Sequence, residues 1–173
     1  MRVPALIGTM LVAVALQVAL ARYTVADRWV FDLVLVGVVF CALHWGPIAG
    51  MLGGTLGGLL QDLLAGTTVG VSALAKTIVG FGAGVVGAQF VVARPRARMM
   101  IVAVVSIVHR LLMLGLTGLI DQQVPAVAWG AILGETGLNA VVGLIAFQAT
   151  EALPAALERG RMSRRSTLSR RQW

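Results

Sequence analysis

The sequence predicts an all-α integral membrane protein with six transmembrane helices in one bundle, and three observations carry that expectation. Of 173 residues, 58% are hydrophobic and only 12% are charged, with a mean hydropathy of +0.91. An ordinary soluble domain is about half apolar and a quarter charged, so the bilayer must serve as part of this chain's solvent. Apolar runs also recur at close to the roughly 20 residues needed to cross the hydrocarbon core. No run alternates apolar and polar residues at period two, as strands of a membrane barrel do. Six spans leave about 50 residues for loops and tails, which excludes a sizeable extramembrane domain.

The first span covers about residues 3–21. Arg2, the apolar run and Ala19-Leu20-Ala21 resemble a secretory signal, but the run exceeds the usual apolar region of about 7–15 residues. Five more apolar segments follow, so it reads as an uncleaved helix. The second span, about 29–45, is bounded by Trp29 and Trp45, which suit the membrane interface, as does Trp129 at the sixth. Gly46-Pro47 opens the third span, 47–65, because proline is tolerated in a first helical turn. The turn-like residues 66–70 lead to the fourth span, 71–93, and the fifth covers 99–120. Asp121-Gln122-Gln123-Val124-Pro125 connects to the sixth, 126–149, which ends before Pro154. Residues 1–153 thus form the transmembrane domain and 154–173 a basic cytoplasmic tail.

Charge sets the orientation. Fourteen Lys and Arg against seven Asp and Glu give a net charge of +7, which in a soluble protein would suggest nucleic acid. Here the arginines cluster at segment ends. Arg2, Arg94, Arg96, Arg98 and the tail residues Arg159, Arg161, Arg164, Arg165, Arg170 and Arg171 fall on one side. Only Arg22 and Arg28 fall on the other. The positive-inside rule therefore puts both termini in the cytoplasm, with the tail drawn to anionic lipid. Cys41 lies in an apolar run and reads as a small buried hydrophobe.

A charge inside a span costs at least about 2.5–3.5 kcal/mol unless it is compensated. Asp62 and Lys76 flank the 66–70 turn at equal offset, and Arg110 and Glu135 flank the 121–125 connector likewise. Antiparallel neighbours at equal offset lie at equal depth, so two ion pairs are expected, Asp62–Lys76 and Arg110–Glu135. Each group could instead bond other polar atoms or reach the interface. Ser106, His109 and Asn139 lie beside or one turn from the second pair. The set reads either as a clasp fixing helix register or as a proton or ion relay.

Glycine spacing is the other signal. Gly46, Gly50, Gly54 and Gly58 recur every fourth position, Gly53 and Gly57 widen the stripe, and Gly80, Gly84 and Ala88 repeat the spacing. Gly130 and Gly134 do so in the sixth span. Such stripes let helices approach closely in lipid, whether within the molecule or against a partner. No H-E-x-x-H, C-x-x-C, P-loop or nucleophile-elbow pattern occurs. No catalytic residue, cofactor or metal is expected.

The stretch from Gly46-Pro47 through Gly50, Gly54 and Gly58-Leu59-Leu60-Gln61-Asp62 to Gly70 and Ala73-Leu74-Ala75-Lys76-Thr77-Ile78-Val79-Gly80-Phe81 resembles the MreD family of bacterial rod-shape proteins. The resemblance implies a non-enzymatic scaffold of the elongation complex in the bacterial cytoplasmic membrane. It implies binding to MreC, association with RodA and the elongation transpeptidase, and contact with MreB filaments, in support of lateral peptidoglycan synthesis. It also implies a fold like the membrane subunit of energy-coupling-factor transporters. The alternative is that the chain is itself such a vitamin-binding subunit, for which Ala15 and Ala19 match the small-residue docking spacing.

Overall fold

A computed structural model describes residues 3–20, 31–89, 95–122 and 128–169. Within them lie six helices, α1 (Val3–Leu20), α2 (Leu33–Trp45), α3 (Pro47–Ala65), α4 (Val71–Gln89), α5 (Pro95–Asp121) and α6 (Trp129–Ser169). All but α2 are long and apolar enough to cross a membrane. Arg2, Arg22, Arg28, Trp29, Arg94, Pro125, Arg170 and Arg171 lie outside the described residues.

Local chemistry explains the boundaries. Asp32 caps α2, its Oδ1 accepting from Leu35 N at 2.9 Å, so this helix starts later than residue 29. Its 13 residues span about 20 Å, short of a hydrocarbon core of about 30 Å. Gly46 joins α2 to α3 at φ 89°, a conformation side chains disfavour, and Pro47 occupies the first turn. Gly66 closes α3 in the left-handed region at φ 63°, its N–H bonding the Asp62 carbonyl. The sixth helix departs from expectation at its far end. Its apolar window is Trp129–Thr150, but the helix continues to Ser169, carrying Pro154, Arg159, Arg161, Arg164 and Arg165 within it.

The short helix is the hub. Eight of its 13 residues are buried, and α2 packs against all five other helices. A helix apolar all round belongs in an interior. Around it α1 contacts α3, α3 contacts α4, α4 contacts α5 and α5 contacts α6, whereas among the described residues α1 and α6 stand apart. The bundle is therefore a ring of five helices about a sixth, open on one side. Leu35, Val39 and Ala42 of the hub meet Val79, Ala83, Val102 and Phe147 in the main apolar core.

Glycines set the tightest contact, between α3 and α4. A Cβ on Gly50 would lie 2.2 Å from the Gly80 carbonyl oxygen, one on Gly54 2.3 Å from the Lys76 carbonyl oxygen, and one on Gly58 2.5 Å from Ala73 Cα. Gly80 and Gly84 meet Gly50 and Pro47 backbone just as closely. On another face of α3, a Cβ on Gly57 would meet Val34 and one on Gly53 would meet Met10. Among the described residues nothing lies within 4 Å of a Cβ on Gly130 or Gly134, so these two make no close contact within the molecule and stand open on the surface of α6. Gly46 serves the turn by its positive φ; a Cβ on it would meet nothing within 4 Å, but its backbone carbon would lie 2.9 Å from a Cβ on Gly84.

Candidate functional site

The site lies at the end of the bundle where α1, α3 and α5 finish and α2, α4 and α6 begin, here called the distal end. At its centre is an ion pair absent from the sequence expectation. Lys76 Nζ lies 2.7 Å from Asp32 Oδ2, with side-chain exposures of 1% and 9%. Two unlike charges so enclosed offset each other's desolvation only if their remaining bonding capacity is also met. Lys76 donates further to His109 Nε2 at 3.3 Å, which requires a neutral imidazole with its proton on Nδ1.

Asparagine and glutamine complete the cage. Asn139 Oδ1 accepts from the Asp32 backbone N–H at 2.8 Å, and its amide donates to Ser106 Oγ at 3.3 Å. Gln17 of α1 brackets the entry to α2, donating to the Phe31 carbonyl at 3.1 Å and accepting from Leu33 N at 2.7 Å. Ser106, His109 and Asn139 are thus brought together, but around Asp32 and Lys76 rather than around Arg110 and Glu135.

The expected Asp62–Lys76 pair does not form. Asp62 instead spans the hairpin, its Oδ2 accepting from Gly70 N at 2.8 Å, Ser72 N at 3.2 Å and Ala73 N at 3.4 Å. A carboxylate at a helix N-terminus meets unpaired donors and the positive end of the helix dipole. The glycine series explains the choice. Asp62 follows Gly58 by four residues on the face pressed against the start of α4, so the nearest donors are backbone N–H groups. Equal depth does not ensure that two side chains face each other, and Lys76 turns inward to the hub.

The second expected pair is loose. Arg110 Nε lies 3.9 Å from Glu135 Oε2, with the arginine side chain 44% exposed and the glutamate 16%. Both line a cavity of about 520 Å³ together with Gln17, Phe31, Asp32, Gln61, Asp62, Lys76, His109 and Thr117. Every helix of the ring contributes a wall, and Asp32, where the short hub helix begins, contributes to the floor. Beyond Lys76, Ser106 and Asn139 the described interior becomes the apolar cluster of Val79, Ala83, Val102 and Phe147. This polar interior is therefore a pocket closed below.

Asp32 and Gln17 were missed by sequence reasoning. Asp32 fell inside the expected second span, and asking which group answers each intramembrane carboxylate would have raised it. Near the other end of α2, His44 stacks on Phe147 and Arg98 lies over the Phe147 ring at 5.2 Å from its centroid.

Helices of this length and apolarity around a buried charged network define a multi-pass α-helical membrane protein. The sequence model described as rod shape-determining protein MreD matches residues 2–135. The chain belongs to the MreD family, and its role accordingly lies in determining rod cell shape. No curated protein and no solved structure matches it significantly.

Proposed function

We propose that this protein is a non-enzymatic membrane scaffold of the rod elongation complex, binding MreC and through it supporting RodA, the elongation transpeptidase and lateral peptidoglycan synthesis. The family match over residues 2–135 carries this reading. Two apolar grooves add to it, one between α4 and α5 and one where α1 and α6 stand apart over α2. In lipid, helices associate through close packing rather than through the hydrophobic effect, and such grooves offer packing surface. On this reading both termini are cytoplasmic in the bacterial inner membrane, since basic residues outside the spans fall ten to two on that side. The distal end then faces outward, and the arginines beyond residue 158 lie against anionic lipid, with MreB filaments within reach.

The test is a mild-detergent affinity pull-down from native membrane, read by mass spectrometry, alongside depletion of the protein in growing cells. Recovery of MreC and cell-wall synthases, with loss of rod shape on depletion, is the expected result. The distal cavity favours a second reading, the substrate-binding membrane subunit of an energy-coupling-factor transporter. Co-purification of a transporter ATPase module in place of MreC would overturn the scaffold in its favour.

A further inference from the structure

The distal cavity holds bonding capacity that the protein leaves unused. At 3.9 Å, Arg110 and Glu135 attract each other without a hydrogen bond. Neither side chain makes one elsewhere among the described residues. A guanidinium has five donors and a carboxylate about four acceptor positions, so the wall of this cavity carries an open cationic and an open anionic group side by side. Among the described residues, three enclosed side-chain atoms lack a hydrogen-bond partner, namely Gln61 Oε1, Asp62 Oδ1 and His109 Nδ1. All three belong to residues lining this same cavity.

Charge balance selects the kind of ligand. Asp32 and Lys76 neutralise each other, Asp62 is compensated by three N–H groups at the start of α4, and Arg110 balances Glu135. A ligand with net charge would bring an unanswered charge into a weakly screening interior, which is costly. We infer that the cavity binds a zwitterionic group, whose anionic oxygens pair with Arg110 and whose ammonium pairs with Glu135. Inserted between them, it replaces one loose contact with two charge-assisted ones. A volume of about 520 Å³ falls within the usual range for small-ligand sites, about 300–1,000 Å³. A phospholipid headgroup and a free small zwitterion share this chemistry.

Native mass spectrometry of the full-length protein in detergent tests the site, with dioleoyl phosphatidylethanolamine, dioleoyl phosphatidylglycerol and free phosphoethanolamine as probes. The zwitterionic lipid is expected to bind at least tenfold more tightly than the anionic one, and Arg110→Gln or Glu135→Gln should erase that preference. Free phosphoethanolamine binding with the same dependence on Arg110 would assign a soluble ligand, whereas binding of the lipid alone would assign a headgroup. Thr117→Trp fills the cavity without altering either charge, so it should abolish binding in a protein that still elutes as one sharp species. Equal binding of the two lipids without phosphoethanolamine binding, or a preference that survives all the folded variants, would overturn the site. The absence of binding by any probe would do the same. None of these results bears on the role in cell shape.

Discussion

Replacing Gly54 with alanine tests whether the α3–α4 contact is as close as the backbone implies. The added methyl would sit 2.3 Å from the Lys76 carbonyl oxygen, 2.4 Å from its carbon and 2.7 Å from Thr77 N. All three are backbone atoms, so no side chain can swing aside. Restoring an ordinary contact requires the helices to part by about 1 Å, and overpacking of this kind costs about 1–3 kcal/mol. The shift would also drag Lys76 away from Asp32, which moves the estimate toward the upper end. Gly82 on α4 is the control, since nothing lies within 4 Å of its Cβ position. There alanine should stabilise the helix by about 0.5–1 kcal/mol through backbone entropy. Equilibrium unfolding of the two variants in mixed detergent micelles should therefore give changes of opposite sign. A Gly54→Ala protein as stable as Gly82→Ala would refute the close approach.

Two further perturbations separate the polar contacts by the same unfolding measurement. Lys76→Met leaves Asp32 enclosed without a counter-charge and should cost about 3–5 kcal/mol. Adding Asp32→Asn should recover much of that loss, and a double variant no more stable than Lys76→Met would count against the pair. Asp62→Ala removes a cap that serves three backbone donors and should cost about 1–2 kcal/mol. The loss should coincide with faster amide exchange at Gly70, Ser72 and Ala73, and unchanged exchange there would contradict the capping role.

Composition and apolar run length made the helical membrane class legible because they report solvent preference directly. The glycine series pointed to close packing of α3 for the same elementary reason, that only a missing side chain admits a neighbouring backbone. Side-chain pairing was harder to read. Matching offsets about a turn gave depth along the helix but not the direction around it, so Asp62 was assigned to Lys76 when its own stripe turned it to the N-terminus of α4. Asp32 was overlooked because it stood near an interface tryptophan, and its partner lies two helices on. The hub position of α2 could not be foreseen either. An apolar run shows that a helix is enclosed by something, and only the contacts show that the enclosure is other helices rather than lipid.

The brevity of α2 bears on how the chain is made. Its first residue follows Asp32, whose counter-ion Lys76 emerges from the ribosome only after the whole of α3. Until the α3–α4 hairpin has docked, this segment is both too short to bridge the lipid core on its own and burdened with an unanswered carboxylate. Stable placement of α2 in the membrane therefore depends on α3 and α4, which supply its counter-charge and much of its packing. His109, Ser106 and Asn139, from the last two helices, complete the bonding around the Asp32–Lys76 pair.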